Sequence, residues 1–313
     1  MTIDDPRRVA VVGYASLDTT TTVATFRGVN ATSILQRALT THEPGVGGIA
    51  HIVAAAAAAG ARAEAISWVG PDSNGTRWSE GIVSAGGGVL GVAVDGTRSP
   101  SATLIDIQAG GTICLFDPGD CHPAVITHDQ GHLLETSGWV ILTVSPRQIT
   151  AQILERLPDS ATLVWAVKHD DDAYTNDMIR RILERADVVS FSEGERPYVT
   201  VDGLEPERRV RAGTLVVETR GAGGVTWSIG SPEGGIRPGS ITVESVSAHD
   251  TTGAGDTFIG TLAGLLAGLP DLDELGDRDL TDAIAQASTS AGDLLRSRTT
   301  SGPTAGAPQK ESH

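Results

Sequence analysis

Cysteine is nearly missing from this chain of 313 residues, which carries only Cys114 and Cys121. Two thiols cannot build a disulfide framework. With no CxxC pair and partner histidines they make no zinc site either, and both are expected as reduced thiols. Long apolar runs are also missing: apolar residues make up 40% of the chain but never gather into the roughly 20 consecutive positions that a bilayer span needs. Met1 to Arg8 lacks the basic start, apolar middle and small-residue cleavage site of a secretory signal, so the sequence reads as cytoplasmic. Positive charge is scarce, and the formal net charge of −16 opposes general attraction to nucleic acid or to an anionic membrane. No G-x-G-x-x-G follows the first strand and no G-x-x-x-x-G-K-[ST] occurs anywhere, which argues against a dinucleotide-dependent oxidoreductase and a P-loop enzyme. A phosphate-bearing ligand would have to be held by exposed backbone N–H groups or a metal, against the field of the whole protein.

What is present reads as one α/β domain. Val9 to Gly13 is a short β-branched run suited to a buried strand, Asp18 to Phe26 is threonine-rich and β-prone, and Ile52 to Ala59 is an alanine-rich helix stopped by Gly60. Ala63 to Val69 predicts a strand and Gly70 to Gly75 a turn into a helix. Ala102 to Gln108 and Thr112 to Phe116 flank Gly110 and Gly111 as a hairpin would. Strands are then expected at Trp139 to Val144, Thr162 to Val167, Val188 to Phe191 and Leu215 to Glu218, alternating with helices after Pro146 and over Asn176 to Arg185. That alternation predicts parallel strands joined by helical crossovers. A second β patch is expected at Val225 to Ile229 and Ile241 to Val246. It precedes a helix starting near Gly253, whose apolar face is Phe258, Leu262, Leu265, Leu266 and Leu269. The tail from Ser297 to His313 reads as disordered.

Chemistry concentrates in Asp250-Thr251-Thr252-Gly253-Ala254-Gly255-Asp256-Thr257-Phe258. Glycines there let backbone approach a ligand, and the following helix aims free N–H donors and its positive dipole end at the same spot. Asp256, in the first turn, is placed to take a proton from a hydroxyl lying against the bound anion. A glycine-rich helix start with an acidic first turn can also be plain capping, and the residue types alone leave that open.

The full string resembles the C-terminal signature of the ribokinase-like (PfkB) carbohydrate kinases, and the likeness extends over most of residues 9 to 295. Gly13 and Asp18 are similar to the family's first strand and its substrate-gripping aspartate, and Gly47 and Gly48 before the alanine-rich helix to its N-terminal signature. Val69 to Gly75 resembles the Val-Gly-x-Asp-x-x-Gly stretch. Ser192 and Glu195 stand where the Asn-x-x-Glu motif organises magnesium, and Thr219, Gly221 and Gly224 resemble the nucleotide-contacting Thr-x-Gly-x-x-Gly loop. Three departures stand out: His51 for the usual substrate-binding asparagine, Ser192 for the motif's asparagine, and Lys168 to Asp172 where many relatives carry an Asp-Pro-Asn-like turn.

The resemblance implies a three-layer α/β/α fold with a largely parallel sheet over residues 1–296. It also implies a small β lid from about residues 14 to 43 and 90 to 125, which in the family sometimes forms a homodimer. It implies ATP and Mg²⁺, a sugar, nucleoside or related polyol as acceptor, and a monovalent cation near Asp250. Asp256 would be the base, with the N–H groups of Gly253, Ala254 and Gly255 on the phosphoryl oxygens. Asp18, Gly47, Gly48 and His51 would hold substrate, Thr219, Gly221, Gly224 and Ser192 the nucleotide, and Glu195 the magnesium through water. Bland readings stand beside several of these: helix capping for His51, turn capping for Asp18, a solvated helix position for Glu195 and a solvated turn for Asp170 to Asp172. The rival from another class is a non-catalytic sugar or nucleotide sensor on the same fold, favoured by the changes at His51 and Ser192 and opposed by the intact Asp256.

Overall fold

The computed structural model describes residues 5–36, 43–108, 110–230, 236–246, 251–269 and 272–300. The first half of the chain forms β1 (Asp5–Val12), β2 (Ala15–Val23), β3 (Leu35–Gln36), β4 (Gly45–Gly48), α1 (Ala50–Ala58), β5 (Arg62–Val69), α2 (Ser73–Ser84), β6 (Gly88–Val94), β7 (Ser101–Ile107) and β8 (Thr112–Asp117). There follow α3 (His128–Thr136), β9 (Ser137–Leu142), α4 (Arg147–Arg156), β10 (Thr162–Ala166), α5 (Asn176–Arg185), β11 (Val188–Ser192) and the short α6 (Arg196–Val199). The last elements are β12 (Leu215–Thr219), β13 (Val225–Gly230), β14 (Ile236–Ile241), α7 (Ala254–Leu266) and α8 (Asp277–Thr300).

Nine strands make one sheet in the order β14-β13-β12-β11-β10-β9-β1-β5-β6, parallel throughout except for β13 and β14. A sheet covered on both faces needs strands that are apolar on both faces, and β1 shows why its run is unbroken. Val9 and Val11 enter the core shared with α1, α7 and α8, while Ala10 and Val12 enter the one shared with α3, α4 and α5. This is the expected ribokinase-like α/β fold. A second sheet stands apart, ordered β3-β2-β7-β8, with β4 pairing the start of β2 on the same edge as β3.

The alanine content of α1 has a packing reason beyond helix propensity. A Cβ at Gly264 of α7 would lie 2.8 Å from the Ala56 carbonyl oxygen, and one at Gly260 would strike the Ile52 carbonyl. Only glycine facing alanine lets the two backbones come this close, and that approach brings the N-termini of α1 and α7 together.

Several expectations need correction. β6 pairs in parallel with β5 in the large sheet, so the second segment of the small sheet begins at Ser101 rather than about residue 90. Its glycines hid it: a Cβ at Gly91 would sit 2.6 Å from the Ala65 carbonyl, so the strand is held by close approach rather than by β-branched packing. The last strand is Ile236–Ile241, not Ile241 to Val246. Leu269 lies beyond the end of α7 and is 42% exposed, so it does not share the buried face of Phe258, Leu262 and Leu266. Helix α8 runs to Thr300, past the expected start of the tail at Ser297, and residues 301–313 lie outside the described residues.

Candidate active site

The C-terminal ends of β10, β11 and β12 open toward the start of α7, where doubly wound sheets take their ligands. They enclose a cavity of about 210 Å³ whose lining includes Lys168, Ser192, Glu195, Thr219, Gly255 and Asp256. Five of those six were expected at the site on separate motifs. The fold brings them to one place.

Helix α7 begins from Gly253, which has φ 75°, a left-handed conformation that side chains other than glycine rarely take. Left-handed backbone followed by helical backbone makes a concave nest of N–H groups. The first ladder bond of the helix is Thr257 N–H to the Gly253 carbonyl, at 2.8 Å, and the Ala254 N–H is turned to the Thr251 carbonyl at 3.2 Å. Ala254 is thus already engaged, and Gly255 and Asp256, the next two residues of the helix, precede its first ladder bond, so their N–H groups have no carbonyl of α7 to pair with. A Cβ built at Gly255 meets nothing within 4 Å, so this glycine faces open space.

Asp256 is mostly buried, and its Oδ1 accepts from Lys168 Nζ at 3.0 Å. The carboxylate beside it holds the Lys168 ammonium above the ordinary lysine range, against the opposing effect of burial. Glu195 is fixed on the other side, its Oε2 accepting both the Ser192 N–H and the Ser192 hydroxyl at 2.8 Å. Serine at 192 thus orients the glutamate that the family motif assigns to magnesium. Among the described residues no cluster of three or more His, Cys, Asp or Glu could cage a metal. A hard carboxylate at Glu195 suits a magnesium ion that keeps its water and sits on nucleotide phosphates. The loop after β12 turns on Gly221 and Gly224, with φ 52° and 90°, and closes through Arg220 N–H to the Gly224 carbonyl at 2.9 Å. A Cβ at Gly221 would meet nothing, whereas one at Gly224 would strike the Ile241 carbonyl, so the first glycine is open to a ligand and the second is structural.

On the other side of the cleft Asp18 lies on β2 opposite β4, and a Cβ at Gly47 would collide with its carboxylate. The Ser16 hydroxyl donates to Asp18 Oδ1. Gly48 has φ 62° and backs onto the Tyr14 carbonyl. His51, one residue into α1, packs on Gly253, where a Cβ would sit 2.7 Å from its Cδ2. Its ring thus lies against the turn that starts α7. Asp18, Ala102 and Phe116 lie abreast on β2, β7 and β8, and the Phe116 ring packs on Tyr14 with centroids 5.1 Å apart. Asp170, by contrast, spends its carboxylate on the N–H groups of Asp172 and Ala173, the solvated turn expected there.

In the sequence Lys168 stands out only as an oddity of its turn, with no sign of its pairing with Asp256, and the Tyr14 and Phe116 stack is equally unmarked. A lone lysine after a strand carries no local signal of what it will face. Asp250 and residues 37–42 of the small-sheet segment lie outside the described residues.

A model of the pfkB family carbohydrate kinases matches residues 6–305, and the chain belongs to that family. It is 33% identical to a fructokinase of Vibrio alginolyticus over 115 residues, a stretch spanning 35% of this chain and only 34% of that protein. Among solved structures it resembles the ribokinase of Arabidopsis thaliana complexed with ribose and ATP, with a TM-score of 0.71, 18% identity and 92% of each chain covered. It also resembles a Methanocaldococcus jannaschii nucleoside kinase of the ribokinase family, with a TM-score of 0.71, 15% identity and coverage of 93% of this chain and 92% of that one. At such identities the structural likeness speaks for the fold. No helix among the described residues is long and apolar enough to cross a membrane.

Proposed function

We propose that the chain transfers the γ-phosphoryl group of ATP to a hydroxyl of a sugar, nucleoside or related polyol, with Asp256 as general base. The observation that carries this reading is the single cavity gathering Asp256, Gly255, Ser192, Glu195 and Thr219 from three motifs far apart in the chain. In the reaction the substrate hydroxyl loses its proton to the Asp256 carboxylate as its oxygen bonds to the γ-phosphorus. The bond to the β,γ-bridging oxygen breaks, and ADP leaves with the electron pair. Such transfers depend on positioning and on charge stabilisation more than on covalent chemistry from the protein. The N–H groups of Gly253 and Gly255 suit the charge developing on the phosphoryl oxygens. Magnesium, carried on the nucleotide and held through water by Glu195, would neutralise phosphate charge there. Thr219 and the Gly221–Gly224 loop take the nucleotide, and Asp18, Gly47, Gly48 and His51 the acceptor.

The small sheet acts in this reading as a lid that keeps water from the phosphoryl group. The exposure of Leu35 and Leu115 on that sheet supports its use as a homodimer face. The test is an ATP-to-ADP coupled screen of sugars, nucleosides and polyols. Turnover of at least one acceptor, dependent on magnesium, is the expected result. ATP binding with no turnover across the panel would turn the reading toward the non-catalytic sensor.

A further inference from the structure

Lysine is the rarest charged residue of this chain: Lys168 and Lys310 are the only two, against 21 arginines. One of the two lines the cavity. The lining of that cavity, among the described residues, contains two carboxylates, Glu195 and Asp256, and one cationic side chain, Lys168. In a chain of net charge −16, a nucleotide triphosphate entering this space meets negative charge from the protein at every other titratable side chain that lines it. The Lys168 side chain keeps 45% of its surface exposed while its Nζ lies 3.0 Å from Asp256 Oδ1. An ammonium has three donors, and the pair with Asp256 uses one. The choice of residue also fits the place. A guanidinium presents a planar fork that would take both oxygens of a carboxylate, whereas a compact ammonium can rest on one oxygen and turn its remaining donors elsewhere.

We propose that Lys168 is a catalytic residue that binds the transferring phosphoryl group, its ammonium bridging Asp256 Oδ1 and the γ-phosphoryl oxygens while Asp256 Oδ2 receives the substrate proton. The inference rests on the kinase reading of the site. It goes beyond it in assigning two tasks to one side chain: holding the base aimed, and offsetting charge on the group in flight. Lys168 also reports the γ-phosphate directly, so the protein should bind ATP more tightly than ADP for a reason lying in this residue.

The experiment compares wild type, Lys168→Met, Lys168→Arg and the double variant Lys168→Met/Asp256→Asn, each followed by turnover on the best acceptor of the screen and by calorimetric titration with ATP and with ADP. Lys168→Met is expected to lower kcat by about 10²–10³-fold, with acceptor KM little changed, and to abolish the preference for ATP over ADP. Lys168→Arg should restore part of the ATP preference and little of kcat. Should Lys168→Met fold poorly because Asp256 is left as a buried unpaired charge, the double variant removes that charge and carries the same nucleotide test. Retention of kcat within about threefold in Lys168→Met, together with an unchanged preference for ATP over ADP, overturns the proposal. So does a lost kcat with the nucleotide preference intact in both Lys168→Met and the double variant, which would make Lys168 a partner of Asp256 alone. Failure of the kinase reading looks different: wild type then binds ATP and turns over nothing, while the nucleotide preference of Lys168→Met can still be measured.

Discussion

On the proposed nucleotide side of the cleft two carboxylates are tied by polar bonds, Glu195 to Ser192 and Asp256 to Lys168. On the proposed substrate side, Asp18 accepts the Ser16 hydroxyl, and Asp18 and His51 also lie against Gly47 and Gly253, positions where a Cβ would collide with them. Directional bonds fix where a charged oxygen points, as chemistry on a phosphoryl group requires. A glycine that leaves room fixes no direction of its own, so at Asp18 and His51 the same scaffold can present a different side chain to a different acceptor. The departures from the family pattern fit this division. Serine at 192 still holds Glu195, whereas histidine at 51, in the proposed reading, changes what the acceptor meets.

Asp256→Asn gives the largest expected effect, because it removes the proton acceptor with almost no change of shape. A fall in kcat of about 10²–10⁴-fold is expected, with ATP affinity and melting temperature near those of wild type. Retention of more than half of the wild-type kcat would end the assignment of Asp256 as base.

Gly253→Val comes next and tests where the two sides meet. A β-branched residue must take a left-handed conformation and press on the His51 ring, and overpacking alone commonly costs about 1–3 kcal/mol. The melting temperature should therefore fall. Gly255→Val, which points into open space, should fold normally and lose phosphoryl transfer. If the two variants behave alike, the contrast drawn between the neighbouring glycines is wrong.

Asp18→Ala probes the substrate side alone. Leaving a substrate hydroxyl without its charged acceptor should weaken acceptor binding by about 1.5–3 kcal/mol and leave ATP affinity unchanged. Weakened ATP binding would return Asp18 to a structural role and dissolve the division between the sides.

How much of this was legible in the sequence follows the same division. The parallel strands and the Gly253 helix start were readable because local pattern decides them: unbroken β-branched runs, and glycines at a helix N-terminus. Strand β6 was not, since Gly88 makes room for the Glu64 side chain and Gly91 for the Ala65 carbonyl, neighbours that local sequence does not reveal. The site motifs were legible as separate strings. Their convergence follows from strand order, and the meeting of Lys168 with Asp256, 88 positions apart in numbering, depends on β10 ending beside the start of α7.

Ser192→Ala should give the smallest effect, and its direction tests the polar side most finely. The Ser192 hydroxyl is one of two donors on Glu195 Oε2, and the backbone N–H of the same residue remains after substitution. One hydrogen bond to a carboxylate that keeps another partner contributes about 0.5–1.5 kcal/mol, so Glu195 becomes looser without being released. With the carboxylate proposed to act on magnesium through water, the loss should appear as an increase of about 2–10-fold in the magnesium concentration giving half-maximal rate at saturating ATP. Saturating magnesium should restore most of kcat, and the order of preference among acceptors should stay as in wild type. Ser192→Asn, which places the family's usual side chain there, keeps a donor at this position and should fall between the two. A changed acceptor preference with an unaltered magnesium requirement would place Ser192 and Glu195 on the substrate side, and the division between the two sides would fail there.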